Sequence, residues 1–237
     1  MGQGYDDFDR LEVLTIIRGT LINETPLRVG VGREAPLGSP VDLAVLRVRL
    51  AGGEAVPVIP GSSLKGVLRS LAESIARASG YPVHSPWDFS KAEEEAKEGK
   101  FCVICGLFGS TELASHVRIY DAYPLDGAAP TFTKTGVGIS RDFQGIQPGI
   151  LYTEEFVTPR VRWGFRMDVI NVRVFPEPAD ERGRLLRQVI DLLSRGLVQV
   201  GARKTVGCGL VRLEKARYEV YEVREGLLVK TSEGDVL

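Results

Sequence analysis

Residues 57–78, PVIPGSSLKGVLRSLAESIARA, mark where an extended segment of this chain turns into a helix. Pro57 and Pro60 keep the start extended, because proline has no amide proton and clashes inside a helix. From there Leu64, Leu68, Leu71 and Ile75 recur at three- and four-residue intervals, the apolar face of an amphipathic helix. Ser62 or Ser63 is the expected N-cap, since a hydroxyl at that position accepts from the first free amides. Upstream, residues 11–24 (LEVLTIIRGTLINE) are rich in β-branched residues in rough alternation and read as a long strand. A Gly- and Pro-rich loop over 25–40 follows, and VDLAVLRVRL (41–50) resumes strand character.

Downstream, residues 80–117 look like an insertion, with the acidic run KAEEEAKEGK followed by FCVICGLFGS, where Phe101 and Val103 suggest a half-buried strand. VRIYDAYPL (117–125) reads as a short strand, and 128–149 as a long loop or protruding hairpin. LYTEEFVTP and GFRMDVINVRVF read as strands. Leu186, Val189, Ile190, Leu193 and Leu197 then mark a second amphipathic helix, and LVRLEKARYEVYEV reads as the closing strand. The order is βαββαβ, the α+β, ferredoxin-like (RRM-like) arrangement of an antiparallel sheet with two helices on one face. No linker divides the chain, so residues 1–237 read as a single domain.

With 43% hydrophobic and 26% charged residues, the chain has material for a core and is not disordered as a whole. No apolar run approaches the ~20 residues that span a bilayer, and the acidic start MGQGYDDFDR is not a targeting signal. Three cysteines leave one over from any pairing, which points to a reducing, cytoplasmic setting. The net charge of −1 conceals an asymmetry: residues 118–217 hold 16 Lys and Arg against 11 Asp and Glu. Arginine outnumbers lysine, 22 to 8, and its planar fork suits phosphate and base stacking. The same bias also fits genomic composition or life at high temperature.

Two glycine-bearing elements have the chemistry of anion sites. In the first, Gly61, Ser62 and Ser63 open a helix that carries Lys65 and Arg69 on one stripe, so free amides lie beside cations. Taken by itself, the segment reads first as an ordinary capped helix with solvated cations. In the second, GARKTVGCGLVRL (201–213), Gly201, Gly207 and Gly209 let backbone approach a ligand and Arg203 and Lys204 add charge. It is not a Walker motif, because it lacks the upstream glycine spacing and precedes a strand.

IPGSSLKGVLRS, CVICGLFGS and GARKTVGCGLVRL, in this order, resemble the RAMP superfamily of CRISPR-associated RNA-binding proteins over about residues 11–218. SRDFQGIQPGILYTEEFVTP is similar to the backbone subunit of type III (Csm/Cmr-type) interference complexes. That resemblance implies a lid at about 80–117 and a thumb-like hairpin at about 128–150. It also implies several copies in a filament along a CRISPR guide RNA, with other type III effector subunits, no membrane, and endoribonuclease cleavage of complementary target RNA at regular intervals.

The resemblance places the family's cleavage aspartate at Asp42, in GSPVD (38–42). A carboxylate beside a scissile phosphate can hold a divalent cation such as Mg or help deprotonate a 2′-hydroxyl. Alternatively, Asp42 caps the turn into the next strand. Glu34 is the other acid of that loop. Gly61, Ser62, Ser63, Lys65, Arg69, Arg203, Lys204, Gly207 and Gly209 would hold guide phosphates. Lys134, Arg141 and Phe143 would touch the duplex, Phe143 either wedging bases or packing the hairpin base. Cys102 and Cys105 form half of a zinc site, which His84 and His116 would complete; reduced structural thiols are the alternative. Cys208 reads as a packing residue. Two other functions compete: a structural RAMP subunit that binds guide RNA without cutting, and a guide-processing endoribonuclease, which commonly needs a histidine in a suitable loop.

Overall fold

The computed structural model describes residues 8–32 and 39–236. The chain is mixed α+β. In order, its elements are β1 (Val13–Asn23), β2 (Arg47–Arg49), β3 (Ala55–Pro57), α1 (Gly61–Ala78), α2 (Phe89–Glu98), α3 (Cys105–Phe108) and β4 (Val117–Ile119). There follow β5 (Thr131–Ile139), β6 (Ile146–Val157), β7 (Arg162–Ile170), α4 (Glu181–Ser194), β8 (Val198–Gln199), β9 (Leu210–Arg224) and β10 (Leu227–Asp235). The main sheet is antiparallel in the order β10-β9-β1-β7-β4, with β8 added to β9. The pairs β2–β3 and β5–β6 form two separate ribbons.

Alternation builds the central strands. Val13, Thr15 and Ile17 of β1 are buried while the residues between them are more open, and Trp163, Phe165, Met167 and Val169 of β7 enter the same core. In α1 the buried stripe is Leu64, Leu68, Ala72 and Ala76, every fourth residue. The two alanines let the helix lie close, and each buried leucine contributes about 2 kcal/mol. The expected Leu71 and Ile75 pack at the core margin. Asp180 caps α4 by accepting the Gly183 N–H at 2.8 Å, and Leu186, Val189, Ile190 and Leu193 are buried as their spacing predicts. α1 and α4 touch each other and the sheet, so both lie on one face. Ion pairs such as Arg18–Glu219 and Arg166–Asp168 occupy the opposite face.

Several local expectations change. The N-cap of α1 is Pro60; Ser62 and Ser63 lie inside the first turn, and the capping acceptor comes from across the fold, where Asp121 Oδ1 takes the Gly61 N–H at 2.7 Å. Residues 41–50 pair as a strand only over Arg47–Arg49, because Leu43 and Val45 are held by single bridges to Glu154 and Gly30. The acidic run is helical: it forms α2, capped by Asp88 and ended by Gly99 in the left-handed region. Phe101 and Val103 are buried without strand pairing and lead into α3. β9 is not the last strand, since a tight turn at Glu225–Gly226, both at positive φ, returns the chain as β10. Among the described residues, no helix is long and apolar enough to cross a membrane.

Candidate nucleic-acid interface

One end of the sheet gathers the loops. Ile22 lies opposite Arg162 and Asn23 opposite Val211, while Ile59, just before α1, bridges Ala122 beyond β4. Asn23 is fully buried at this rim. Its Oδ1 accepts from Trp163 Nε1 at 3.0 Å, and its Nδ2 donates to the Thr25 and Thr158 carbonyls at 2.9 Å each. A buried amide needs such partners, and here satisfying it fastens the loops after β1 and β6 to the rim.

Four consecutive residues of β6, Tyr152 to Glu155, hold the site together. The Tyr152 ring covers Gly136, where a Cβ would come within 2.3 Å of it, and the Arg203 guanidinium stands 5.0 Å from the ring centroid. Thr153 donates its N–H and hydroxyl to Asp42 Oδ2 at 2.6 and 3.0 Å, and the Asp42 N–H donates back to Thr153 Oγ1 at 3.1 Å. Glu154, buried, accepts Arg203 Nε on both oxygens at 2.9 Å and has Arg28 Nη1 at 3.2 Å. Glu155 accepts from both terminal nitrogens of Arg47, Nη1 at 2.8 Å, and from the Val45 N–H at 3.0 Å. Side chains alternate along a strand. Thr153 and Glu155 therefore secure the 42–47 loop on one side, while Tyr152 and Glu154 secure the second glycine turn on the other.

The electrostatics follow from these bonds. The Thr153 amide and then its hydroxyl hold the Asp42 carboxyl below the usual range, so this exposed side chain is an anion at neutral pH with Oδ2 already occupied. Arg47 is the main cause that brings Glu155 down to about 2. Burial, then the nearby Arg69 charge, pulls Lys65 below the ordinary lysine value.

The expected anion ligands divide. Gly61 is buried and its amide is spent on Asp121; a Cβ there would fall 2.1 Å from the Ile119 carbonyl oxygen. Arg69 is spent too, with Nε on Glu73 at 3.0 Å and Nη1 on the Gly109 carbonyl at 2.9 Å. Ser62 is exposed, and Ser63 and Lys65 are half-buried. In the second turn Arg203 is engaged with Glu154 and Tyr152, while Lys204 is exposed and in no ion pair among the described residues. Gly201, Gly207 and Gly209 adopt positive φ, and the Gly209 amide bonds the Pro26 carbonyl at 2.8 Å. The two turns share one end of the sheet but sit on opposite flanks, three strand spacings or roughly 14 Å apart. Lys134, Arg141 and Phe143 stand exposed on the β5–β6 arm, Phe143 at its turn and 61% exposed, not at the base. Gly38 and Glu34 lie outside the described residues.

Sequence reasoning missed Arg28, Arg47, Thr153, Glu154 and Glu155. Their one sequence signal is a pair of glutamates inside an otherwise uncharged strand, next to a long Gly-rich hairpin.

A second cluster lies under the 80–105 segment. Ligand atoms of His84, Glu95, Cys102 and Cys105 all fall within 4.8 Å of one another. His116 is not among them: it is buried elsewhere, with Nδ1 on the Ile170 carbonyl at 2.8 Å and its ring beside Phe8, and Glu95 takes the fourth place. His84 Nδ1 bonds the Ser85 carbonyl at 3.0 Å, which turns Nε2 to Glu95 at 3.0 Å and to Cys105 Sγ at 3.3 Å. The Cys105 thiol is the chief cause that holds Cys102 down to about 6, and Cys105 is raised in return. Two sulfurs, one imidazole and one carboxylate at this spacing fit a tetrahedral cation, whose thiolates would sit about 3.8 Å apart. Cys208 is buried and unpaired.

The family model described as RAMPs, RAMP superfamily, matches residues 20–212, well over half of the chain. No curated protein matches it.

Proposed function

We propose that this chain, which belongs to the RAMP superfamily, is the guide-RNA-binding backbone subunit of a type III CRISPR effector complex and cleaves complementary target RNA. The observation that carries this reading is the β6 segment 152–155. It fastens an anionic carboxylate, Asp42, and a cation-bearing glycine turn to the base of one exposed arm. The strand order β9-β1-β7-β4, with α1 and α4 on one face, supports a βαββαβ ferredoxin-like core. On it the 80–117 region serves as the lid and β5–β6 as the thumb.

In this reading Lys204, Lys65 and Ser62 take guide phosphates, Arg203 with Tyr152 forms a stacking surface, and Phe143 with Lys134 and Arg141 meets the guide–target duplex. A carboxyl held low by Thr153 is a weak general base near neutral pH. Asp42, as an anion, would be the residue to hold a divalent cation. That cation, when bound, supplies charge stabilisation at the scissile phosphate. Among the described residues no group of three or more metal-ligating side chains gathers at Asp42, so such a cation would need further ligands from the bound RNA. In an assembled complex, Asp42→Asn is expected to lower target cleavage at least about 100-fold while guide binding stays intact. Unchanged cleavage would establish the non-catalytic structural role instead. Guide processing by a histidine is disfavoured, because His84 is engaged in the cysteine cluster and His116 is buried.

The cluster of His84, Glu95, Cys102 and Cys105 is read as a structural zinc site of the lid, tying the loop before α2, α2 itself and the start of α3 together. Metal analysis of purified protein should find one zinc per chain, lost in Cys105→Ser. A zinc-free wild type of unchanged thermal stability would support plain thiols.

A further inference from the structure

Away from the loops at the rim, a cavity of about 340 Å³ opens beside α4. Phe175, Pro178 and Val236 give it apolar walls, and Arg184, Arg187 and Gln188 line it from one side of the helix, three and four residues apart. Its lower layer is a stack of planar groups. The Phe175 ring lies on Tyr218, with centroids 4.5 Å apart and planes at 11°, and the Arg187 guanidinium stands 4.9 Å from the Phe175 centroid. Arg187 is held there by donating from Nη1 to the Pro176 carbonyl at 2.5 Å. Tyr218 pairs with Ile17, five residues along β1 from Ile22 at the rim, so this stack lies roughly 17 Å down the strand from the proposed RNA loops.

The lining fixes the class of ligand. Arg184 is exposed and in no ion pair among the described residues, and the side chain of Gln188 is exposed beside it. The acid of the wall, Asp191, is already neutralised by Arg195, Nε to Oδ2 at 2.8 Å. Two guanidiniums therefore repel a cation, and a purely apolar ligand would take the Arg184 charge out of water without a partner. A carboxylate or phosphate satisfies Arg184. A flat ring adds more, because a half-buried guanidinium already backed by an aromatic ring is a stacking surface for a second planar group. The Gln188 amide offers one donor and one acceptor, the pair that meets an adenine edge. The volume is at the small end of ligand sites and suits a single nucleotide.

We propose that this cavity binds an adenine mononucleotide, with the phosphate on Arg184, the base stacked on Arg187 and the base edge on Gln188. The site shares no residue with the interface described above and does not depend on the function read from it. Free AMP and a 5′-phosphorylated adenylate at the end of an RNA present the same chemistry.

In calorimetric titrations of the whole chain, AMP is expected to bind at one site. Adenosine, ribose 5-phosphate and UMP should each bind at least about 10-fold more weakly, because each lacks one of the three contacts. Arg184→Ala should weaken AMP about 10-fold and leave adenosine unchanged, and Gln188→Leu should remove the preference for AMP over UMP. Both side chains are exposed, so thermal melts of the variants should match the wild type. Binding of a guide-length single-stranded RNA with a 5′-hydroxyl should also be unchanged in both. A wild type that binds AMP but not that RNA would count against the function proposed above and support this site. A 5′-phosphorylated oligoadenylate that displaces AMP makes an RNA end the source, and one that does not makes it the free nucleotide; either supports the proposal. It is overturned if AMP does not bind, if inorganic phosphate binds as tightly as AMP, or if Arg184→Ala leaves AMP affinity intact. It is equally overturned if a short acidic peptide binds where AMP does not, which would make the cavity a protein-docking site.

Discussion

The turn at Gly61–Ser63 and the turn at Gly201–Gly209 stand at the same end of the sheet and differ at Gly61 against Gly207 and in their arginines. In the first, glycine is present because there is no room: the backbone of Ile119 lies where a side chain would begin, and Asp121 has taken the amide. In the second, Gly201 and Gly209 are crowded by the Arg28 and Val200 carbonyls in the same way, but Gly207 between them has positive φ and nothing within 4 Å of a would-be Cβ. Backbone shape, and not crowding, requires it. Their arginines differ as well. Arg69 is turned inward onto Glu73 and Gly109, whereas Arg203 lies on the surface of Tyr152 beside an unpaired Lys204. One turn packs a helix; the other leaves a lysine exposed at the surface while its own amides bond within the fold.

Substitution separates the two most sharply at the glycines. Gly61→Ala should lower stability by about 3 kcal/mol, since the obstructing atoms are backbone and cannot swing away. Gly207→Ala should lower it by only about 1 kcal/mol, the strain of a left-handed residue. Denaturant titrations of both variants check this, and equal losses would erase the distinction. Next in size, Glu154→Gln should destabilise by about 2 kcal/mol, because two guanidiniums lose the one carboxylate between them. Hydrogen exchange should speed up at the base of the arm and not in α1.

Acid offers a smaller effect with a defined sign. The Glu155 pKa is depressed from 4.5 to about 2, chiefly by Arg47. Its stabilising contribution is therefore complete above pH 4.5 and is lost as the pH falls through about 2. The pair is partly exposed, 32% at Arg47 and 13% at Glu155, so solvent screening reduces the effect without removing it. Glu155→Gln should flatten this part of the pH–stability curve, which thermal melts between pH 5 and pH 2 can follow. Smallest in stability, Lys204→Ala should leave unfolding unchanged while reducing the salt slope of RNA binding by about one. Arg69→Ala should do the reverse, with about 1 kcal/mol of stability lost and the slope retained.

Much of the fold was legible along the chain because its cause is local. Period-two alternation in 11–24 and helical spacing in 186–193 made β1 and α4 readable, and each buries the face its pattern marks, except that Leu197 lies beyond the end of α4 and is 63% exposed. Where the cause lies elsewhere in the chain, reading failed. Nothing near Ser62 shows that Asp121, sixty residues on, will cap α1. Nothing near His116 shows that its ring will be buried beside Phe8, leaving Glu95 beside the cysteines. Asp42 was singled out through family resemblance alone, and its hydrogen-bond partner Thr153 could not be, because 111 residues separate them.

The long first strand, the two amphipathic helices, the surplus of arginine in the second half and the identity of the glycine turns were determined by sequence alone, since each depends on neighbours within a few positions. Tertiary structure alone decided which of those arginines stay free, which glycine is crowded and which carboxylate meets which thiol. A charge or an amide is available to a ligand only if no distant residue has already satisfied it, and in a buried rim nearly every such group finds a partner.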